Sequence, residues 1–376
     1  MTPPIAILGA GPSGLLLARL LEVASIDYII FERDASSENS TGSGGTLDIH
    51  SNSGQLALQE AGLLEKFKKL ARYDASSKFA NYEGKVLAEF GADGNVDRPE
   101  MDRKDLRALI LESVPAEKIK WGMRVEEIVK EANGSMAVHF ADGSFQSSFK
   151  LVVGADGAWS KAKKSVTSAK PEYSGFHYIT SHMRPDNPHY SSAVKLAGRG
   201  NYMAFGNCQQ LSAMFLSDGS YHVGLGLRLP EDWSDTHPLS ARRTMMQELC
   251  AGWPEMETNV IVNSDDDFRA WPLYAMPTES LSWESVPGVT LIGDAAHVTT
   301  PFEGEGVNCA LQDSAQLARK IREYGLGNLD QAVREYEQDM FDRGIDLISR
   351  SAESGELLFA SDAPTRWLQK MGIECG

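Results

Sequence analysis

The chain has 376 residues, 42% hydrophobic and 23% charged, which allows two or three domains around a large core and is ordinary for a globular protein. Its 36 Lys and Arg against 52 Asp and Glu give a net charge of −16, and no Lys/Arg cluster with interleaved aromatics stands out, so a nucleic-acid partner is excluded. No apolar run reaches the roughly eighteen residues of a membrane span, and Cys208, Cys250, Cys309 and Cys375 lack metal-ligand spacing, so free thiols in the cytoplasm are expected, with no metal.

The apolar run Ile5-Ala6-Ile7-Leu8 reads as a buried strand, and Leu15 to Leu21 as the helix that follows it. Between them stands Gly9-Ala10-Gly11-Pro12-Ser13-Gly14. Gly9 suits a tight turn, Gly11 admits a pyrophosphate against the backbone, and Gly14 permits close helix packing, while the helix N-terminus offers unpaired N–H groups to an anion. A second apolar strand, Tyr28 to Phe31, delivers Glu32 about twenty residues beyond the glycines, where a carboxylate can accept the hydroxyls of an adenosine ribose.

The polar stretch Ala35 to Ser43 reads as a loop, followed by Gly44-Gly45-Thr46-Leu47-Asp48-Ile49-His50. A helix is expected from Ser53 to about Ala71, with Leu56, Ala57, Leu63 and Leu64 in the core. Another starts near Asp102, which resembles a cap, with Leu106, Leu109 and Ile110 as the buried stripe and Arg103 and Arg107 on one face. A hairpin turns at Asp142-Gly143 and leads to the buried strand Leu151 to Ala155. Short strand-like runs between 173 and 269 suggest a separate antiparallel layer.

The strand Val289 to Ile292 runs into a second glycine motif, Gly293-Asp294-Ala295-Ala296-His297, continuing to Pro301-Phe302-Glu303-Gly304-Glu305-Gly306-Val307-Asn308. Asp294 directly follows a strand, so its carboxylate can face a ligand at the sheet edge. Gly304 to Gly306 open a helix whose positive end would stabilise charge on a reduced flavin, whereas His297 is expected to be satisfied by a backbone partner. The C-terminal part reads as helical. The two glycine motifs together describe a chain folded around one FAD, the first holding the adenine half and the second the flavin half.

Three stretches resemble the fingerprints of the class A, single-component FAD monooxygenases: Gly9 to Gly14, Ala155-Asp156-Gly157-Ala158-Trp159-Ser160, and Gly293 to Asn308. The chain is also similar to the tetracycline-inactivating monooxygenases through Glu32-Arg33-Asp34, Gly44 to His50, Arg103-Lys104-Asp105-Leu106-Arg107-Ala108 and His222-Val223-Gly224. This resemblance implies an α/β fold. A Rossmann-like FAD-binding domain (1–70, 101–172 and 270–325) would carry an interleaved substrate domain on an antiparallel β-sheet (71–100 and 173–269), with helices over 326–376.

It further implies that FAD is held by Gly9, Gly11, Pro12, Ser13, Gly14, Glu32, Arg33, Gly45, Asp48, Arg103, Arg107, Asp156, Gly293, Asp294, Pro301, Gly304, Gly306, Val307 and Asn308. Substrate would meet Phe215, His222, Gly224, Pro301 and Phe302. No side chain is assigned the chemistry itself, which the flavin would carry. NAD(P)H, with NADPH as transient co-substrate, would reduce it, and O₂ would yield a C4a-hydroperoxide that hydroxylates a bulky aromatic or polyketide-like molecule, a tetracycline among them. A monomer is expected.

Departures from the family pattern fall on flavin reduction. Lys163 replaces an arginine and loses its bidentate fork, loop 35–43 has no arginine, and Glu305 replaces a glutamine beside the flavin, where its charge is unfavourable unless it points away. A flavin oxidase or reductase without hydroxylation and a flavin-loaded binding protein are the alternative readings.

Overall fold

Five short strands, apolar almost throughout, form a sheet in which every pairing is parallel, in the order Val289–Leu291, Leu151–Gly154, Ile5–Leu8, Tyr28–Phe31, Ile119–Lys120. Strands without alternation suit such a sheet because both faces are covered. The computed structural model describes residues 2–37, 44–91, 93–94, 96–237 and 242–373; the expected loop beyond Ser37 and Cys375 lie outside these. Because the strands are parallel and in register, the turns at Gly9, Glu32, Ala155 and Ile292 all leave from one edge.

Helix Pro12–Val23 starts directly at that edge, with proline at its first position, where the missing N–H costs nothing. Helix Gly306–Tyr324 lies against it, and the Ser314 hydroxyl donates to the Ser13 carbonyl at 2.8 Å. The long helix Leu329–Leu358 packs behind and precedes a short one, Thr365–Lys370. A three-stranded antiparallel sheet, with its hairpin between Met136–Phe140 and Phe145–Phe149 as expected, covers one flank.

A second, seven-stranded sheet faces the edge described above, in the order Arg269–Ala275, Glu172–Met183, Tyr221–Arg228, Gln209–Phe215, Asn201–Gly206, Ser77–Ala80, Val86–Phe90. One pair, Asn201–Gly206 with Ser77–Ala80, is parallel, because the latter strand enters from a distant part of the chain. Strand Arg269–Ala275 pairs with Glu172–Met183, so the sheet extends past residue 269 into sequence expected to belong to the cofactor-binding part.

Two local expectations are corrected. The helix expected over 53–71 is two helices, Gly54–Glu60 and Leu64–Leu70, broken where Gly62 takes φ +71°. Leu56 is 47% exposed, whereas Ala57 and Leu63 are buried as expected, Leu64 is partly buried, and Leu58 joins the buried face. Asp102 precedes helix Arg103–Leu111 without capping it. Its carboxylate is taken by the Arg72 guanidinium at 2.7 Å and by the Ser217 N–H and hydroxyl at 2.9 and 2.8 Å.

That buried pair joins the helix start to the seven-stranded sheet, since Arg72 also donates to the Phe215 carbonyl at 3.1 Å. Removing one partner strands the other charge in the interior, so Arg72→Met should cost about 3–5 kcal/mol. Adding Asp102→Asn to that variant should return part of the loss. Denaturant titration of the three proteins checks this; equal stabilities for wild type and the single variant would contradict it.

Candidate cofactor and substrate site

The parallel sheet edge and the seven-stranded sheet enclose one continuous cleft of about 1820 Å³. At its parallel-sheet end the glycine turn is packed backbone on backbone. A Cβ on Gly9 would stand 2.4 Å from the Ala155 carbonyl oxygen, and one on Gly14 2.2 Å from that of Gly9. At Gly11 and Gly306 nothing lies within 4 Å of the same position. Both residues line the cleft at helix starts, where unpaired N–H groups face an incoming anion.

Glu32 is buried beside this turn, its carboxylate accepting from the N–H of Ala10 at 2.6 Å and of Asp34 at 2.9 Å. Arg33 is exposed and also lines the cleft. The two arginines expected to share a face do different things. Arg107 is anchored on the Ala10 carbonyl at 2.9 Å. Arg103 lies alongside Gly44, and among the described residues no hydrogen bond or ion pair engages its guanidinium.

Asp294 is likewise exposed to the cleft with no hydrogen-bond partner among the described residues. Asp156 also lines the cleft; one carboxylate oxygen accepts from the Lys161 N–H at 2.8 Å and the other is buried without a partner. Burial raises its pKa, partly offset by the neighbouring Ser160 hydroxyl and the Lys161 N–H. An unengaged cation, an open carboxylate and an orphaned carboxylate oxygen around one cleft, with two free helix starts, fit a large ligand carrying both phosphates and hydroxyls. These residues fit FAD.

Lys163, in contrast, is outside the cleft. A tight turn over Ala162–Ser165 buries it, and its ammonium group donates to the Ala158 carbonyl at 3.2 Å. Burial pushes its pKa down to about 8 against the opposing pull of Asp156 and Asp294. Gly14, Gly293 and Asn308 stand just behind the cleft wall. The Asn308 amide is spent on backbone, donating to the Asp48 carbonyl at 2.8 Å and accepting from the His50 N–H at 2.9 Å. It thereby holds Asp48 in the cleft beside Gly304, with the Asp48 carboxylate 2.9 Å from His50 Nε2.

Alternation along the seven-stranded sheet decides the opposite wall. Tyr178 and Thr180, Gln210, Ser212 and Met214, and His222 and Gly224 face the cleft. Phe215 has the wrong parity: it packs on Tyr221 at 5.4 Å beneath the sheet and is not brought to the site. Gly45 bridges the walls, since a Cβ there would be 3.3 Å from both His222 Nδ1 and the Met214 sulfur. His222 Nδ1 is buried without a hydrogen-bond partner, and burial, with help from His182, brings its pKa down to about 4. Pro301 and Phe302 close the near side, with the Phe302 ring 5.1 Å from Phe176.

Sequence reasoning missed Glu100. It is only 7% exposed yet lines the cleft, opposite Asp48 in the two-stranded ribbon Thr46–Asp48 with Glu100–Asp102. The Thr46 hydroxyl donates to it at 2.6 Å and the Asn201 amide at 2.8 Å. No motif marks it; only the pairing to Asp48 reveals it. His297 is buried outside the cleft, its Nε2 2.6 Å from the Asp313 carboxylate, so its partner is a side chain.

Burial, seconded by Asp48, pushes the Glu100 pKa up to about 7 from 4.5. Between these values the folded chain keeps a proton that the unfolded chain releases, so stability falls as pH rises through that window. The loss from this group is roughly 3 kcal/mol. Glu100→Gln should lack it. Urea titrations across the window should show the variant gaining on wild type with rising pH, and parallel curves would contradict the assignment.

Comparison with known proteins agrees with this geometry. The family model described as FAD binding domain matches residues 2–340. Monooxygenase asqM of Emericella nidulans is 30% identical over 371 residues, covering 84% of this chain and 83% of that protein. Among solved structures, Klebsiella pneumoniae HpxO complexed with FAD and uric acid has a TM-score of 0.81 at 21% identity, covering 99% of this chain and 93% of its own. Tetracycline destructase Tet(51) has a TM-score of 0.72 at 19% identity, covering 99% and 94%. With a cleft whose lining fits FAD, a family match over nearly its whole length and a monooxygenase relative spanning most of both chains, this protein belongs to the class A FAD-dependent monooxygenases.

Proposed function

We propose that the chain hydroxylates a bulky aromatic or polyketide-like molecule with O₂ and NAD(P)H, and that tetracyclines are among the molecules its cleft accepts. The observation that carries this reading is the size and division of the cleft. Pockets for one small ligand run to about 300–1,000 Å³, so about 1820 Å³ holds FAD and a second sizeable molecule. FAD, when bound, supplies the transfer of one oxygen atom from O₂ to the substrate, with electrons from NAD(P)H.

The chain's own residues then have three tasks. Glu32 receives the adenosine ribose, and Arg103 and Asp294, which have no side-chain partner among the described residues, engage the phosphate and ribityl portions. The N–H groups at Gly306, Val307 and Asn308 face the flavin end, which Asp48 and Pro301 flank. The sheet wall binds substrate through its apolar members, among them Met203, Met214 and Phe205, with His222, Gln210 and Ser212 orienting polar substituents. His222 stays uncharged near neutral pH, since its pKa is about 4, so it suits a neutral hydroxyl or carbonyl better than an anion. Phe302 and the aromatic rings around it keep water from the near side.

The activities of relatives support the substrate class without fixing the member. They include a 3-amino-4-hydroxybenzoate 2-monooxygenase at 26% identity and a kynurenine 3-monooxygenase at 27%.

Mass spectrometry of a tetracycline and a panel of phenols incubated with enzyme, FAD and NADPH should show a gain of one oxygen on at least one compound. Flavin reduction yielding only peroxide across the panel would sink the proposal. Asp294→Ala and Arg103→Ala should each weaken FAD binding about tenfold or more, read by recovery of flavin fluorescence. Full occupancy in both variants at wild-type affinity would show that these two residues do not hold the cofactor.

A further inference from the structure

The segment from Thr300 to Gly306 forms the flavin-side lip of the cleft, and one face of helix Leu329–Leu358 grips it along its length. Ser351 donates to the Thr300 carbonyl at 2.7 Å, Gly355 makes room for the Phe302 ring, whose carbons lie 2.7 Å from where a Cβ would be, and the Ser354 hydroxyl donates to Glu303. At the centre stands Arg350. Its Nη2 lies 2.7 Å from Glu305 Oε2 and its Nη1 2.7 Å from Glu303 Oε2, with a further contact of 3.3 Å from Nη1 to Glu305 Oε1. Its Nε donates to Asp346, one turn back, at 2.8 Å.

Glu305 is the residue immediately before helix Gly306–Tyr324 and lines the cleft. A free carboxylate here would cancel the positive end of that helix and oppose negative charge on a nearby ligand. The fork of Arg350, which also serves Glu303 and Asp346, instead draws the carboxylate toward the long helix and offsets part of its charge. Neither Glu305 nor Glu303 has another cation within ion-pair distance among the described residues.

We infer that Arg350 is a positioning residue that sets the electron affinity of the bound flavin, by holding Glu305 out of the field that stabilises the reduced cofactor. The inference rests on the FAD placement proposed above. It makes the replacement of a neutral residue by Glu305 compatible with flavin reduction, through a partner forty-five positions later in the sequence. The role is electrostatic, so what matters is the net charge at the lip, and removing the carboxylate should cancel the effect of removing the arginine.

The test is the midpoint potential of bound FAD, measured by dye-coupled reduction in wild type, Arg350→Met, Arg350→Lys, Glu305→Gln and the double variant Arg350→Met/Glu305→Gln. Arg350→Met should shift the ratio of reduced to oxidised flavin about tenfold toward oxidised, which is about 30 mV for a two-electron couple. Arg350→Lys should shift it less, and the double variant should return close to wild type, with Glu305→Gln alone at or above it. A purely structural brace would leave the double variant as impaired as the single one, and that result overturns the inference. An unchanged potential in Arg350→Met with FAD bound overturns it too. If Arg350→Met fails to fold, Arg350→Lys and the double variant give the same comparison. A wild type that takes up no FAD would instead refute the cofactor placement.

Discussion

Two stretches of backbone meet beneath the cleft at a distance no side chain could occupy: the Gly9 turn lies on the Ala155 carbonyl, and Gly14 lies on the carbonyl of Gly9. This contact brings the ends of strands Ile5–Leu8 and Leu151–Gly154 into one plane and aims helix Pro12–Val23 across them. Helix Gly306–Tyr324 then packs on the first helix, so the second glycine motif inherits its position from the first. A methyl group at either glycine would move both helix starts together. Asp294 and Arg103, whose side chains no other described residue engages, and the N–H groups at the two helix starts therefore share a common frame, which is what a long, bipartite ligand requires.

The second layer is tied to that frame by an aromatic cluster, in which Phe176 meets Phe302 and Phe359, and by buried polar links. Arg72, Asp102 and Ser217 make one junction, and the Glu100 carboxyl with Thr46 and Asn201 makes another. Buried charges at such junctions fix orientation at some cost in stability, since each is stabilised only while all its partners are present. Glu100 is the extreme case, a carboxyl held near neutrality in pKa between the two walls of the site.

What could be read from the sequence follows from how local the signal is. A strand, a glycine turn and a helix fall within about thirty residues, so the arrangement of Gly9 to Gly14 between Ile5–Leu8 and Pro12–Val23, with Glu32 after the next strand, was legible as a unit. The second motif was legible for the same reason. Phe215 was misplaced because parity along a strand depends on register with neighbours, and a one-residue error exchanges the two faces. Glu100 and Arg350 were invisible because their partners lie far away in sequence, at Thr46 and Asn201 and at Glu303 and Glu305. The break at Gly62 was missed because an apolar stripe of helical period continues across it.

The far wall of the cleft includes Leu358, Trp367 and Met371, with the Trp367 ring stacked 5.0 Å from Phe79. All three lie beyond residue 340, where the match to the family pattern ends. The end of the chain that completes this wall thus lies outside the matched family pattern, while both glycine turns lie within it. The same long helix that brings Leu358 to this wall also holds Glu303 and Glu305 through Arg350, so a change in the last two helices that reshapes the wall is felt at the start of helix Gly306–Tyr324 as well.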